Sequence, residues 1–194
     1  LDAIVSGHTH SQVATVVNGV PIVQARVSGR AVGVIDIPLV PGLTPSRPEV
    51  RAVVSDSVTP DPEIARIVQS AWDAVASRVS AVVVELSERL PRDGDQYGLG
   101  NLIADAQRVA GRGDVAVTND GGIRTEVRAG AVRWGDLHEV QPFENRLVVM
   151  TVRGDALRKY LEGLVDGASV RYHLSGVRVE YDPAAAAGAR VRRV

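Results

Sequence analysis

Two histidines one residue apart stand near the start of the sequence, in the run Ser6-Gly7-His8-Thr9-His10. They follow a short apolar segment typical of a strand, and Gly7 allows the backbone to bend sharply before them. Imidazole is a good ligand for divalent metal ions, and two on one turn can reach two neighbouring ions. The pattern predicts metal binding by His8 and His10, with a pair of exposed turn histidines as the alternative.

A polar glycine turn occupies residues 119–124, directly after a short apolar run. Consecutive glycines at Gly121 and Gly122 let backbone amides approach an anion or a planar ligand, with Asn119 beside them. Arg124, just beyond, can clamp an oxyanion through two parallel hydrogen bonds. The turn is therefore a candidate binding loop, and an ordinary glycine turn with a solvated arginine is the alternative.

Phe143 is the only phenylalanine of the chain and lies beside a proline in a polar segment, residues 141–145. A flat apolar face there could stack on a base, and Asn145 could hydrogen-bond to the edge of a ring. A buried loop anchor is the alternative for Phe143. Arg92 could also face a ligand or remain solvated, and the isolated His173 is interpreted as structural.

The composition excludes several classes of protein. With 194 residues, 45% of them hydrophobic, the chain can bury a core. A net charge of −1 provides no one-signed field for nucleic acid or an anionic membrane, and no apolar run approaches the length of a membrane span. The absence of cysteine leaves histidine and carboxylate as strong metal ligands. The chain starts and stops within strand-like segments, so we expect a fragment of a longer protein.

The elements that must position these residues alternate between strands and helices. Asn18-Gly19 predicts a hairpin turn, Asp61 is a predicted helix N-cap, and residues 41–48 form a predicted loop. The predicted strands are 3–5, 12–17, 20–24, 31–37, 81–86, 115–118, 147–152, 177–181 and 189–194. The predicted helices are 61–79, 99–109, 136–140 and 155–165. The mixture, without strict alternation of single strands and helices, predicts an α+β fold with a mixed sheet.

In this order the motifs resemble the 5′-nucleotidase family, which includes UDP-sugar hydrolases and other metallophosphoesterases. The resemblance covers nearly the whole chain. Its most specific parts are residues 6–10, 100–106, 119–124 and 142–145, and residues 175–176 followed by 181–183.

The resemblance implies a β-rich remnant of an αββα metallophosphatase domain at 1–45, a linker and connecting helix at 46–80, and a truncated substrate-binding domain at 81–194. It also implies that His8 and His10 are the last ligands of a centre of two divalent ions, such as zinc or manganese, incomplete here. The implied substrate-binding residues are Asn119, Gly121, Gly122, Arg124, Phe143, Asn145, Gly176 and Arg92.

The function implied is nucleoside or nucleotide binding within a metal-dependent phosphohydrolase that is secreted, periplasmic or attached to the cell surface. The fragment alone is expected to be inactive, because most metal ligands would lie before residue 1. Family members sandwich the base between two aromatic rings. The second ring belongs to a later segment, so the site in this chain should have only one of the two rings. The alternatives are a non-catalytic module that binds nucleosides or nucleotide sugars, or a relative acting on cyclic nucleotides, UDP-sugars or sulfur compounds.

Overall fold

The structure, a computed structural model, describes residues 1–40, 42–94, 96–166 and 171–194. It divides into two compact units, Leu1–Val68 and Gln69–Val194. Four α-helices and several small sheets of mixed direction make up the described residues, so the predicted α+β class is confirmed. The predicted domain boundaries at 45 and 80 stay predictions.

The first unit is built from short strands. They are β1 (Ile4–Val5), β2 (Gln12–Val17), β3 (Val20–Ala25), β4 (Ala31–Val34) and β5 (Glu49–Ala52). Strand β3 is central, pairing parallel with β1 and antiparallel with β2, while β4 pairs antiparallel with β5. Val23 of β3 is buried, and it packs against Gly33 of β4, where an added Cβ would lie 2.7 Å from its methyl group.

The turn between β2 and β3 confirms the prediction made from its two residues. Asn18 and Gly19 have φ angles of 51° and 81°, the left-handed pair that a two-residue hairpin of type I′ requires. Val17 and Val20 pair across the turn. The predicted strand at 31–37 is shorter in the structure and ends at Val34, and Pro41 of the predicted loop lies outside the described residues.

Helix α1 (Pro62–Val79) begins as its sequence predicts. The carboxylate of Asp61 accepts hydrogen bonds from the backbone amides of Glu63 and Ile64, at 2.9 and 3.0 Å, which satisfies two amides of the first turn. Its apolar face is nevertheless exposed, with Ile64 58% and Trp72 49% accessible. The helical spacing of the apolar residues therefore predicted the helix correctly, but it did not predict that its apolar face would be exposed.

The second unit contains the remaining elements. Its strands are β6 (Val82–Leu86), β7 (Ala116–Asn119), β8 (Gly130–Arg133), β9 (Tyr172–Ser175), β10 (Glu180–Tyr181) and β11 (Val191–Arg193). Its helices after α1 are α2 (Gly98–Gly111), α3 (Trp134–Val140) and α4 (Gly154–Asp166). The strands form three antiparallel pairs, β6 with β8, β7 with β9 and β10 with β11.

The core of the second unit joins α2, the glycine turn, β8 and α3. Ile123 is fully buried, and Leu99, Val132 and Val140 are nearly so. The buried carboxylate of Glu162 on α4 accepts hydrogen bonds from the backbone amides of Arg190 and Val191, which attaches the last strand to that helix. The core thus lies directly behind the turn that sequence analysis selected as a binding loop.

Two predicted strands and one predicted helix face were wrong in part. Residues 147–152 are exposed and form no strand, and of 177–181 only Glu180–Tyr181 pairs. On α2 the buried residues are Leu99, Gly100 and Ala104. Leu102 and Val109, predicted to face inward, are 53% and 69% exposed. Helix α2 packs through its small residues, because β7 and β9 approach it closely.

Candidate functional site

A cleft of about 840 Å³ opens in the unit Gln69–Val194. It is lined by Asn119 and Gly122 from the glycine turn and by Phe143 and Asn145 from the loop after α3. The two candidate binding loops therefore meet at one cavity although 20 or more residues of sequence, including β8 and α3, separate their centres on the chain. Four of the eight predicted substrate-binding residues are brought together here.

The glycine turn is held by backbone hydrogen bonds on both sides. Strand β7 ends at Asn119, and residues Asp120–Gly122 form a single 3₁₀ turn. The Asp120 amide donates to the carbonyl of Arg171 at 2.9 Å, and the Arg124 amide donates to the carbonyl of Val140 at 2.7 Å. With the buried Ile123 between these bonds, the turn cannot shift without breaking the core.

Gly121 and Gly122 leave room for a neighbouring side chain. A Cβ added to Gly121 would lie 3.2 Å from Asn119 Nδ2, and one added to Gly122 would lie 3.5 Å from Asn119 Oδ1. The Asn119 carboxamide therefore lies over the glycine pair, on the side that lines the cleft. The two glycines leave space for the Asn119 carboxamide. Their spacing in the sequence did not reveal this role.

Arg124 lies beside Phe143 but is not among the residues that line the cleft. Its guanidinium carbon is 5.8 Å from the centre of the Phe143 ring, within the range of a cation–π contact. Nη1 of Arg124 also donates to the carbonyl of Gly121 at 2.9 Å. Phe143 is 51% exposed, so the ring keeps free area for a ligand.

A buried polar cluster lies behind the turn and centres on Asp120. Its carboxylate forms an ion pair with Arg92 at 3.1 Å and accepts a short hydrogen bond from the hydroxyl of Tyr97. Nε2 of His173 lies 3.5 Å from the same carboxylate, too far for a strong hydrogen bond. Arg92, predicted to contact substrate, is thus engaged with Asp120, and its side chain is 34% exposed.

The cluster shifts the acidity of two of its members. Burial acts to raise the pKa of the Asp120 carboxyl, but the Tyr97 hydroxyl and the Arg92 guanidinium outweigh it and hold that pKa below its usual range. Burial, followed by the hydrogen bond to Asp120, raises the pKa of Tyr97 to about 12. Asp120 is therefore an anion and Tyr97 a neutral donor at neutral pH.

His173 fills the space between the cluster and α2. Its imidazole is fully buried, lies edge-on to Tyr97 with ring centres 4.3 Å apart, and occupies the position that a side chain at Gly100 would need. The structure supports the interpretation of His173 as structural. The structure also shows that Asp120 and Tyr97 belong to this cluster. Sequence analysis did not select them, because a buried carboxylate is rare and is recognisable only from its partners.

Gly176 is not among the residues that line the cleft. It adopts a φ of 76°, and an added Cβ would overlap the carbonyl of Asp114 and approach the side chain of Arg108. The close packing between the end of β9 and the segment after α2 accounts for a glycine at this position. A contact between Gly176 and substrate stays a prediction.

The cleft also has lining residues that sequence analysis overlooked. They include Gln141 beside the glycine turn, Ile103 and Gln107 on α2, Tyr160 on α4 and Tyr172 on β9. The signal for Tyr172 was weak, because β9 itself was not predicted. Tyr172 and Asn119 are direct partners in the pairing of β7 with β9.

The two histidines lie on an unusual turn in the first unit. His8 and His10 have φ angles of 70° and 59°, in the left-handed region that few residues other than glycine adopt. Gln24 holds the turn, because its carboxamide accepts from Ser6 Oγ at 3.0 Å and donates to Thr9 Oγ1 at 2.7 Å. The strained positions are thus the histidines themselves, whereas sequence analysis assigned the bend to Gly7.

Both imidazoles are exposed and could bind a cation. Within the described ranges no group of three or more histidine, cysteine, aspartate or glutamate side chains is placed to hold a metal ion.

Comparison with known proteins identifies the second unit. Residues 77–194 match the family model described as 5′-nucleotidase, C-terminal domain. The chain belongs to the 5′-nucleotidase family. Within the described residues of this nucleotidase-family chain, none of the helices has the length and apolar character that crossing a membrane would require.

Relatives and solved structures agree with the assignment. The chain is 32% identical to Endonuclease YhcR of Bacillus subtilis over 94% of its length and 16% of that protein. It is 27% identical to a 5′-nucleotidase of Vibrio parahaemolyticus, over 85% of this chain and 34% of that one. The fold matches a 5′-nucleotidase precursor from Thermus thermophilus with a TM-score of 0.73 and 24% identity, covering 99% of this chain and 44% of that one. The nucleotidase-family chain thus spans about a third or less of the length of these two curated relatives.

Proposed function

We propose that the unit Gln69–Val194 binds the nucleoside part of a nucleotide substrate in a metal-dependent 5′-nucleotidase-type phosphohydrolase. The observation that carries the proposal is that Asn119, Gly122, Phe143 and Asn145 line one cleft. Membership of the 5′-nucleotidase family supports the substrate class.

The chemistry of the cleft suits a nucleoside. Phe143 offers half of its surface as a flat face for stacking, and the carboxamides of Asn119 and Asn145 each provide a donor and an acceptor for ring edges or ribose hydroxyls. The glycine turn that holds Asn119 is fixed by the core, so binding there does not require the loop to become ordered.

Calorimetric titration with adenosine tests the proposal. Stacking on an aromatic side chain contributes roughly 1–3 kcal/mol per base, so Phe143→Ala should weaken binding by roughly 5- to 150-fold. Tyr181→Ala is a matched control, because Tyr181 is 54% exposed, close to the 51% of Phe143, and does not line the cleft. Equal affinities for the two variants would contradict the assignment.

For the first unit we propose that His8 and His10 contribute two ligands to a centre of two divalent ions, completed by residues outside this chain. The paired left-handed histidines and the family resemblance support this proposal. Such a centre would supply Lewis-acid chemistry for phosphate-ester hydrolysis. Zinc binding by the chain should weaken on replacing either histidine by alanine, and His138→Ala, which removes an exposed histidine stacked on Trp134, is the control.

We further propose that this chain alone releases negligible phosphate from AMP in the presence of zinc or manganese, and that the complete protein acts outside the cytoplasm. Binding of adenosine without release of phosphate from AMP is the expected result for a substrate-binding part. Robust turnover by the isolated chain would overturn the first statement.

A further inference from the structure

The structure places an aromatic ring of β9 beside the candidate nucleoside site. Tyr172 pairs directly with Asn119 in the antiparallel ladder of β7 and β9. Side chains of directly opposed residues lie on the same face of a sheet, with Cβ atoms roughly 4.5–5.5 Å apart. Tyr172 and Asn119 both line the cleft, so the tyrosine accompanies the asparagine into the same cavity.

The alternation of β9 fixes the direction of Tyr172. Its neighbours His173 and Ser175 are buried on the side of α2, where His173 contacts Gly100 and Ser175 accepts a hydrogen bond from Arg108 at 2.8 Å. Successive residues of a strand point to opposite faces, so Tyr172 does not take part in the packing of His173 and Ser175. Its ring is partly exposed within the cleft.

The backbone at Tyr172 is tied to the same elements that position the glycine turn. Its carbonyl accepts a hydrogen bond from Gln96 Nε2 at 2.6 Å, and the carbonyl of the preceding Arg171 accepts from the Asp120 amide at 2.9 Å. The backbone that carries Tyr172 is therefore hydrogen-bonded to the glycine turn and to Gln96, so binding does not require this part of β9 to become ordered.

We propose that Tyr172 is a further substrate-contacting residue, which provides a second aromatic surface for the base beside Asn119. The inference rests on the proposed nucleoside-binding function and adds to it Tyr172, a residue that no motif includes. Phe143 contacts one part of a flat ring system, and Tyr172 limits how far and at what angle that ring enters the cleft. The ring of Tyr172, more than its hydroxyl, carries this contribution.

Adenosine titration of three tyrosine variants tests the inference. Tyr172→Leu should weaken binding by roughly 5- to 150-fold, because a stacking surface is lost, whereas Tyr172→Phe should bind within about twofold of the parent chain. Tyr181→Leu, in an exposed tyrosine outside the cleft, should leave affinity unchanged. Parent-like affinity of Tyr172→Leu, combined with weakened binding by Phe143→Ala, would overturn the role of Tyr172 and leave the nucleoside site standing.

Two further outcomes are decisive. Failure of the parent chain to bind adenosine would overturn the proposed function and this inference together. Should Tyr172→Leu fail to fold, the parent chain labelled at its tyrosines provides the answer by NMR. The ring protons of Tyr172, assigned with the Tyr172→Phe variant, should shift when adenosine is added, and unchanged ring signals would refute a contact.

Discussion

Replacing Asp120 by asparagine should destabilise the second unit, because the carboxylate serves two donors with two different oxygens. Oδ1 accepts from the Tyr97 hydroxyl, and Oδ2 pairs with Arg92 at 3.1 Å. An asparagine keeps one acceptor oxygen and turns an NH₂ group toward the other donor. The variant therefore loses a charge-assisted hydrogen bond inside a site where Asp120 is 11% exposed.

The magnitude follows from these contacts. A hydrogen bond to a charged group contributes about 1.5–3 kcal/mol, and the partial exposure of Arg92 lets water replace part of the loss. We expect the free energy of unfolding to fall by about 2 kcal/mol. For a chain of this size that corresponds to a decrease in Tm of about 4–8 °C.

Urea denaturation followed by tryptophan fluorescence measures the change, since Trp72 and Trp134 both belong to the second unit. Asp182→Asn is the matched control. Asp182 also pairs with an arginine, Arg192, at 2.9 Å, and its other oxygen accepts from the amide of Ala184, but water reaches both members of the ion pair, so the control should lose less unfolding free energy than Asp120→Asn. Equal unfolding of the two variants would refute the idea that the Asp120 cluster stabilises the unit.

Urea denaturation of the parent chain and of Asp120→Asn, repeated in acid, tests whether the charge of Asp120 causes the difference in unfolding free energy. The pKa of Asp120 is lowered in the folded chain, so its contribution is complete above the unfolded value of about 3.9 and is lost as the pH falls through the folded value. The difference between the parent chain and Asp120→Asn should therefore shrink in strongly acidic solution. A difference that is constant with pH would show that shape, and not charge, is responsible.

Three further predictions concern the surroundings of the cluster. The pKa of Tyr97 is raised to about 12 in the folded chain. Its contribution to the free energy of unfolding is therefore complete below the unfolded pKa of about 10 and is lost as the pH rises through about 12. Tyr97→Phe should abolish the corresponding last step in the ultraviolet titration of tyrosinate. Gly100→Ala should cost at least about 1–3 kcal/mol of unfolding free energy, because its methyl group would overlap the buried imidazole of His173, and calorimetric unfolding would reveal the loss. Glu162→Ala leaves two backbone amides near Val191 without their acceptor, so hydrogen exchange of β11 should accelerate while that of β6 stays unchanged.

Local chemistry allowed several elements to be predicted from sequence. Asn18-Gly19 specifies its hairpin because both residues tolerate a positive φ, and Asp61 specifies the start of α1 because its carboxylate caps two amides. These features depend on residues close together in the chain.

The failures share a different cause. Strand β9 was not predicted because its buried members are His173 and Ser175, so its pattern of polar and apolar residues is the inverse of the usual one. Residues 147–152 have the composition of a strand, but strand formation also needs a partner, which local composition does not reveal. On α2 the close approach of β9 favours Gly100 and Ala104 over the larger apolar residues.

For the candidate site, sequence motifs selected residues on both loops that line the cleft, including Asn119 and Phe143. They did not reveal why the glycines are present or that Arg92 is held by Asp120. Those facts depend on contacts between segments far apart in the chain, and only the folded structure supplies them.

The fit of His173 against Gly100 also limits how this protein can diverge. A side chain at position 100 requires a smaller residue at position 173, since a methyl group on α2 becomes acceptable when a smaller side chain replaces the imidazole on β9. Homologous sequences should therefore show covariation between these positions. A chimera that takes α2 from one parent and β9 from another should fold only when both halves of the pair come from compatible sources.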